Sequence, residues 1–241
     1  MIRTIDLIDE ARRSFLVKLL AAGAFAFGTS RTALADLFGK VVEMLPAGKS
    51  IYTLTGSVQV NGNAATTDSV IGASDRIETS AGSDVIFVVG QDAFLMRESS
   101  SLQLGSNDGK IINTLRIVTG KLLSVFGKSA HEISTSTAVI GIRGTGMYIE
   151  SEPDLTYYCN CYGLAELSAS GDPAQRETIE TRHHDTPRYI LGAGAGGTLI
   201  RPAPFKNHTD EELQLIETLV GRVPPFVLPG DAYATPRRTD Y

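Results

Sequence analysis

Apolar side chains in this chain recur at every second position, in one short run after another, and that period commits it to strands. Val58 and Val60, then Val85, Phe87 and Val89, then Leu102 and Leu104, Leu115 and Ile117, and Met147 and Ile149 each line one face of an extended segment. Between these runs lie Asn61-Gly62-Asn63, Ser80-Ala81-Gly82-Ser83, Ser106-Asn107-Asp108-Gly109 and Ser170-Gly171-Asp172-Pro173, whose residue types supply turn geometries. Half-buried strands must cover their apolar faces with one another. Residues 36–190 are therefore expected to form an all-β domain, either a two-sheet β-sandwich or a short stacked β-solenoid, which the period alone does not separate.

One helix is expected after the strands. Thr209 is placed to cap it and Glu212 to complete a capping box, while Asp210 and Glu211 suit the positive end of the helix dipole. Leu213, Ile216, Leu219 and Val220 form its apolar stripe, and Gly221 followed by Pro224-Pro225 ends it. Residues 191–241 then divide into a Gly-rich connection, this helix packed over the β-domain, and a loose tail from about Asp231.

Residues 1–35 stand apart from this core. A polar stretch ends in Arg12-Arg13, an apolar run from Phe15 to Phe27 follows with Lys18 inside it, and Ala33-Leu34-Ala35 offers small residues where a signal peptidase reads. This reads as a twin-arginine export signal cleaved after Ala35, with the periplasm as destination. The apolar run is short against the roughly 20 residues that span a bilayer, and no later segment is longer, so the mature chain is expected to have no transmembrane segment. Cleavage removes five basic and three acidic residues, which takes the net charge from −5 to −7. No Lys/Arg stripe interleaves with aromatic residues, so nucleic acid is not an expected partner.

Two glycine-rich stretches invite phosphate-binding readings that their surroundings oppose. Leu191-Gly192-Ala193-Gly194-Ala195-Gly196-Gly197-Thr198 lacks the Gly-Lys-Ser/Thr ending of a phosphate loop. Gly141-Ile142-Arg143-Gly144-Thr145-Gly146 is followed by a strand pattern, Met147-Tyr148-Ile149-Glu150, and not by a helix. A tight turn or bulge between strands, with Arg143 bonding to nearby carbonyls, is the better account of the second stretch.

The chemistry-bearing residues are few. Cys159 and Cys161 are the only cysteines, two apart in Tyr157-Tyr158-Cys159-Asn160-Cys161-Tyr162, so on a strand they share a face with Cα atoms about 6.5 to 7 Å apart. That separation makes a mutual disulfide strained, whereas two thiols on one face readily share a metal ion. Of the four histidines (His131, His183, His184 and His208), one or two of the last three are expected to join the cysteines in a mixed sulfur and nitrogen site for zinc or copper. Buried inert thiols, an oxidised pair, or a thiol-disulfide catalyst are the competing readings, the last without any Cys-x-x-Cys helix start. There is no Gly-x-Ser-x-Gly elbow and no His-Glu-x-x-His helix, so no enzyme is expected.

The run Thr135 to Met147, with Arg143-Gly144-Thr145 at its turn, resembles the core of the FecR domain family. Asp75-Arg76-Ile77-Glu78-Thr79, the strand Asp84 to Val89, Asp92, Ser101-Leu102-Gln103-Leu104 and Gly120-Lys121-Leu122 follow the family's order, so the resemblance spans roughly residues 50 to 168. It implies stacked two-sheet β structure and a non-enzymatic binding, scaffold or signalling module outside the cytoplasm, with an envelope protein or cell-wall polymer as partner. The family's inner-membrane regulators carry a cytoplasmic anti-sigma segment and a membrane helix ahead of that domain. Here the first residues read as an export signal, so only the periplasmic module is implied. Two further expectations stand beside it: a metal-binding or metal-sensing protein built on the cysteines and histidines, and a thiol-disulfide redox protein.

Overall fold

Three long strands, each bent part-way along, set the architecture. The structure, a computed structural model, describes residues 42–226. The expected export signal, with Arg12, Arg13, Ala33 and Ala35, and the tail from Asp231 lie outside the described residues. In chain order the strands are β1 (Ile51–Thr55), β2 (Val58–Val60), β3 (Asn63–Ala64), β4 (Arg76–Thr79), β5 (Asp84–Val89), β6 (Asp92–Met96) and β7 (Ser100–Gly105). They continue with β8 (Thr114–Val125), β9 (Ala130–Ser134), β10 (Ala138–Ser151), β11 (Leu155–Ala169), β12 (Asp172–Thr181), β13 (Arg188–Leu191) and β14 (Ile200–Pro202), and helix α1 (Asp210–Leu219) follows.

Strands β8, β10 and β11 change partners along their length. β8 pairs β7 and, in parallel, β9 through its first half, then β6 and β10 through its second. β10 passes from β9 to β8, and β11 passes from β13 to β12. One hydrogen-bonded network thus folds over into two halves: β3-β2-β4-β7 joined to the first half of β8, with β9 and β12, and β1-β5-β6 joined to the second half of β8, with β13 and β14. Strands that switch sheets at bulges are a known way to turn such a corner. The bend in β10 lies at a register shift between Arg143 and Gly146, with Gly144 at φ 60. Opposite it, Gly163 of β11 has φ 92, and a Cβ there would sit 2.9 Å from Thr145 Oγ1 and 3.0 Å from the Gly144 carbonyl. Only glycine meets both the backbone conformation and the close approach.

The inner faces of the two halves share one core. Ile77, Leu102, Leu115, Ile140 and Leu167 from the first half pack with Phe87, Phe94, Met96, Met147 and Tyr158 from the second. The strands form one large mixed sheet in an all-β domain with a single helix, and among the described residues β8 and β9 are the one parallel strand pair. The outer face of the second half carries its own apolar set, Ile86, Leu95, Leu123, Val125, Tyr148, Tyr157, Cys159 and Cys161, and α1 covers it with Leu213, Leu215, Ile216 and Leu219. Strands buried on both faces lose the two-residue alternation, and Val85 to Val89 and Ala93 to Met96 accordingly read as continuous apolar runs.

The helix begins and ends on its expected signals. Thr209 accepts from the Glu212 amide, Glu212 returns a bond to the Thr209 amide, and Val220 caps the other end before Gly221 at φ 70. The Gly-rich segment contains a short 3-10 turn at Ala193–Ala195 and returns the chain as edge strand β14 beside β13, so it joins two strands and the sheet continues to Pro202. No helix among the described residues is long and apolar enough to cross a membrane.

Candidate metal centre

The thiols of Cys159 and Cys161, a ring nitrogen of His184 and a ring nitrogen of His208 all lie within 4.8 Å of one another beneath α1. Each arrives by a different route. Strand alternation puts both cysteines on the outer face of β11, where they are fully buried free thiols. Along residues 159–162, β11 has β10 on one side, while β13 stops at Tyr158 and β12 starts at Gly163 on the other. The loop between β12 and β13 fills this gap, and the His184 amide donates to the Cys161 carbonyl at 3.0 Å. His184 takes φ 55 there, a left-handed conformation uncommon outside glycine that points its ring at the cysteines.

His208 comes from the approach to the helix. It directly precedes the capping residue Thr209, and Asn207 before it is also left-handed, at φ 62. Glu150 of β10 ties this approach down, accepting from Lys206 Nζ and Asn207 Nδ2, both at 2.6 Å, and from the Tyr148 hydroxyl at 2.8 Å. Arg97 adds bonds to Glu212 and to the Asn207 carbonyl. The His208 ring stacks on Tyr148 with centroids 4.5 Å apart, and Phe205 packs against both His184 and His208. The pocket is therefore dry, with exposures of 0% for each cysteine, 8% for His184 and 3% for His208.

The outward nitrogens of the two rings fix what the inward ones present. His184 Nε2 donates to Asp210 Oδ1 at 3.0 Å, and His208 Nδ1 donates to the Lys206 carbonyl at 2.8 Å. A carboxylate and a carbonyl only accept, so both protons of the neutral rings are used outside the pocket. His184 Nδ1 and His208 Nε2 then face each other as lone pairs 3.1 Å apart, with Cys159 Sγ 3.4 Å from His184 Nδ1. Two facing acceptors need a cation between them, either a proton or a metal ion. A carboxylate or carbonyl behind each ligating imidazole is also the usual support of a metal-bound histidine.

The charges agree with that reading. Burial works against a charge on His184, yet the bonds to Asp210 and Cys159 raise it to about 9. Burial likewise opposes ionisation of Cys159, but the hydrogen bond to Cys161 and the His208 and His184 rings outweigh it and hold this thiol well below its ordinary range. Burial and the adjacent Cys159 push Cys161 well up. Burial also acts against the Asp210 carboxylate, which His183 and His184 bring down to about 2. Without metal these contacts favour a proton on His184 and its loss from Cys159. A four-coordinate ion with Zn–N near 2.0–2.1 Å and Zn–S near 2.3 Å spaces its ligands roughly 3.3 to 3.8 Å apart, close to the 3.1 and 3.4 Å separations here.

Of the three candidate histidines, His184 and His208 reach the cysteines and His183 does not. Its Nε2 lies 2.8 and 2.9 Å from the Asp210 oxygens, and its ring packs on Phe226, so it belongs to a neighbouring trio with His184 and Asp210. Adjacent residues in a loop point apart, and one of the two histidines reaches the sulfurs. Asp210, expected only as a favourable charge at the helix start, is buried against both rings. No local pattern marks that role, because an acid at the first helical position is already explained by the dipole. His131 lies elsewhere, paired with buried Asp92 at 3.2 Å. Arg143-Gly144-Thr145 forms the bulge in β10, within one strand and not between two. There Arg143 Nε donates to the Lys128 carbonyl at 3.1 Å, and the Thr145 hydroxyl donates to the Leu164 carbonyl at 3.0 Å, with the Arg143 carbonyl as a second acceptor within reach.

No family model matches the chain, and no curated protein matches it. Two crystal structures described as "a putative anti-sigma factor" from Parabacteroides distasonis are similar to it at 10% sequence identity, with TM-scores of 0.42 and 0.43. Each likeness covers 53% of this chain and 58% of the other. Likeness of that degree carries nothing about what this chain binds.

Proposed function

We propose that the chain is a metal-binding β-module in which a zinc-class ion, held by Cys159, Cys161, His184 and His208, fastens α1 and its approach to the sheet. The convergence of two thiols and two pre-oriented ring nitrogens in one dry pocket carries this reading. Thiolate and imidazole donors suit zinc or copper(I), and four protein donors make the closed set of a structural zinc site. A closed set leaves no position for a substrate, so the role is structural or sensory and not catalytic. Fully buried sulfurs are also poorly placed to exchange with a disulfide substrate.

The resemblance to the FecR family supports the wider setting of an exported, non-enzymatic binding or signalling module, with an envelope protein or cell-wall polymer as its partner. Export through Arg12 and Arg13, with cleavage after Ala35, is tested by N-terminal sequencing of the protein recovered from the periplasm. Elemental analysis of the same material, with a thiol count, tests the metal centre. About one equivalent of zinc or copper per chain, lost in the Cys159→Ser, Cys161→Ser double variant, is expected. No metal after isolation, together with no uptake of Zn2+ by the reduced protein, overturns the proposal.

A further inference from the structure

A second concavity, separate from the four-ligand pocket, opens beside the C-terminal end of α1 with a volume of about 1110 Å³. It lies where the bends of β10 and β11 meet the segment that follows the helix. Phe126, Tyr162, Pro225 and Phe226 give it aromatic and apolar walls. Its charged groups are unbalanced. Lys128, Arg182 and Arg222 line it against one carboxylate, Glu217, in a chain of net charge −5.

That carboxylate is already committed. Glu217 is 4% exposed, accepts from Arg222 Nε at 2.7 Å and bonds to the Tyr162 hydroxyl. Arg222 Nη1 donates to the Gln91 carbonyl at 2.6 Å, but Arg222 Nη2 is buried without a partner. Among the described residues neither the Lys128 ammonium nor the Arg182 guanidinium makes an ion pair. Exposed cations without an acidic partner favour an anionic acceptor, which makes the stronger bond. An apolar, ligand-sized cleft with a few convergent polar groups is the usual form of a small-molecule site.

We infer that this cleft binds an amphipathic organic carboxylate of small-molecule size. Its apolar body lies against Phe126, Tyr162 and Phe226, and its carboxylate meets the exposed cations Lys128 and Arg182 at the rim. The site does not depend on the metal reading, since none of the four candidate ligands lines it.

Calorimetric titration of the purified whole protein with dodecanoate and with dodecanol, both below their aggregation limits, tests the inference. Dodecanoate is expected to bind at one site per chain, with dodecanol at least tenfold weaker. Lys128→Ala with Arg182→Ala should weaken dodecanoate about tenfold and leave dodecanol unchanged, and both side chains are exposed, so the fold should tolerate the change. Val223→Trp, at a rim position 64% exposed, should weaken both ligands by filling the cleft. Equal binding of acid and alcohol, binding indifferent to the rim variants, or no binding of dodecanoate overturns the inference.

Discussion

Replacing Asp210 by Asn separates a metal-supporting carboxylate from an ordinary helix-start acid. Asp210 Oδ1 accepts from His184 Nε2 at 3.0 Å and from His183 Nε2 at 2.9 Å, and the side chain is 2% exposed. The amide removes the charge that orients the His184 ring and raises its basicity. Loss of such a partner behind a ligating histidine typically costs 10- to 100-fold in metal affinity, about 1.4 to 2.7 kcal/mol. The same substitution also removes an anion from the first helical turn, an effect of about 0.3 to 1 kcal/mol. Glu211→Gln is the matched control, because Glu211 occupies that turn, whereas Asp210 is the acid of that turn bonded to the histidines. In a zinc competition against a chromophoric chelator, Asp210→Asn is expected to bind 10- to 100-fold more weakly than the parent. Glu211→Gln should stay within about threefold of it. Equal losses in the two variants would refute the argument, because they would reduce Asp210 to its dipole effect.

The remaining predictions concern protons, the cap and the bend. Metal must displace the proton that Asp210 and Cys159 hold on His184 up to about pH 9 and the one that burial keeps on Cys161. Zinc affinity should therefore rise with pH between about 6 and 9, by at least about tenfold per unit, and proton release should appear in calorimetry across buffers; a flat profile counts against a histidine–thiolate site. Thr209→Ala removes the capping box and should lower stability by about 0.5 to 2 kcal/mol in urea unfolding of the metal-free protein, whereas an unchanged midpoint would mean that the helix start is held by other contacts. Gly163→Ala forces a side chain into a left-handed position already crowded by Thr145 and the Gly144 carbonyl, and a loss above about 1 kcal/mol is expected in the same assay.

Local patterns in the sequence carried the element types, and contacts between distant elements stayed hidden. Alternation marked Leu102 and Leu104, or Leu115 and Ile117, because one face of those strands meets solvent. In β5 the Val85, Phe87 and Val89 alternation is interleaved with Ile86 and Val88, and β6 reads as a continuous apolar run, because the second face of these strands belongs to the apolar cluster that α1 joins. The helix was legible down to its caps because Thr209, Glu212 and Gly221 act within a few residues of one another. Cys159 and Cys161 were legible as a same-face pair for the same reason. The bends that let β8, β10 and β11 serve two sheet halves depend on which strands meet, and the glycine-rich segment gave no sign that it would lead into β14. Choosing His184 over His183 required the gap between β12 and β13, and Asp210's second role required the loop that crosses its helix.

X-ray absorption at the metal edge of the zinc-loaded protein tests the central claim most directly. Two sulfur scatterers near 2.3 Å and two imidazole nitrogens near 2.0–2.1 Å are expected, with one sulfur lost in Cys159→Ser or Cys161→Ser and one imidazole lost in His208→Ala. A first shell of oxygen and nitrogen alone, or a spectrum unchanged by those variants, would place the ion elsewhere and contradict the assignment of Cys159, Cys161, His184 and His208.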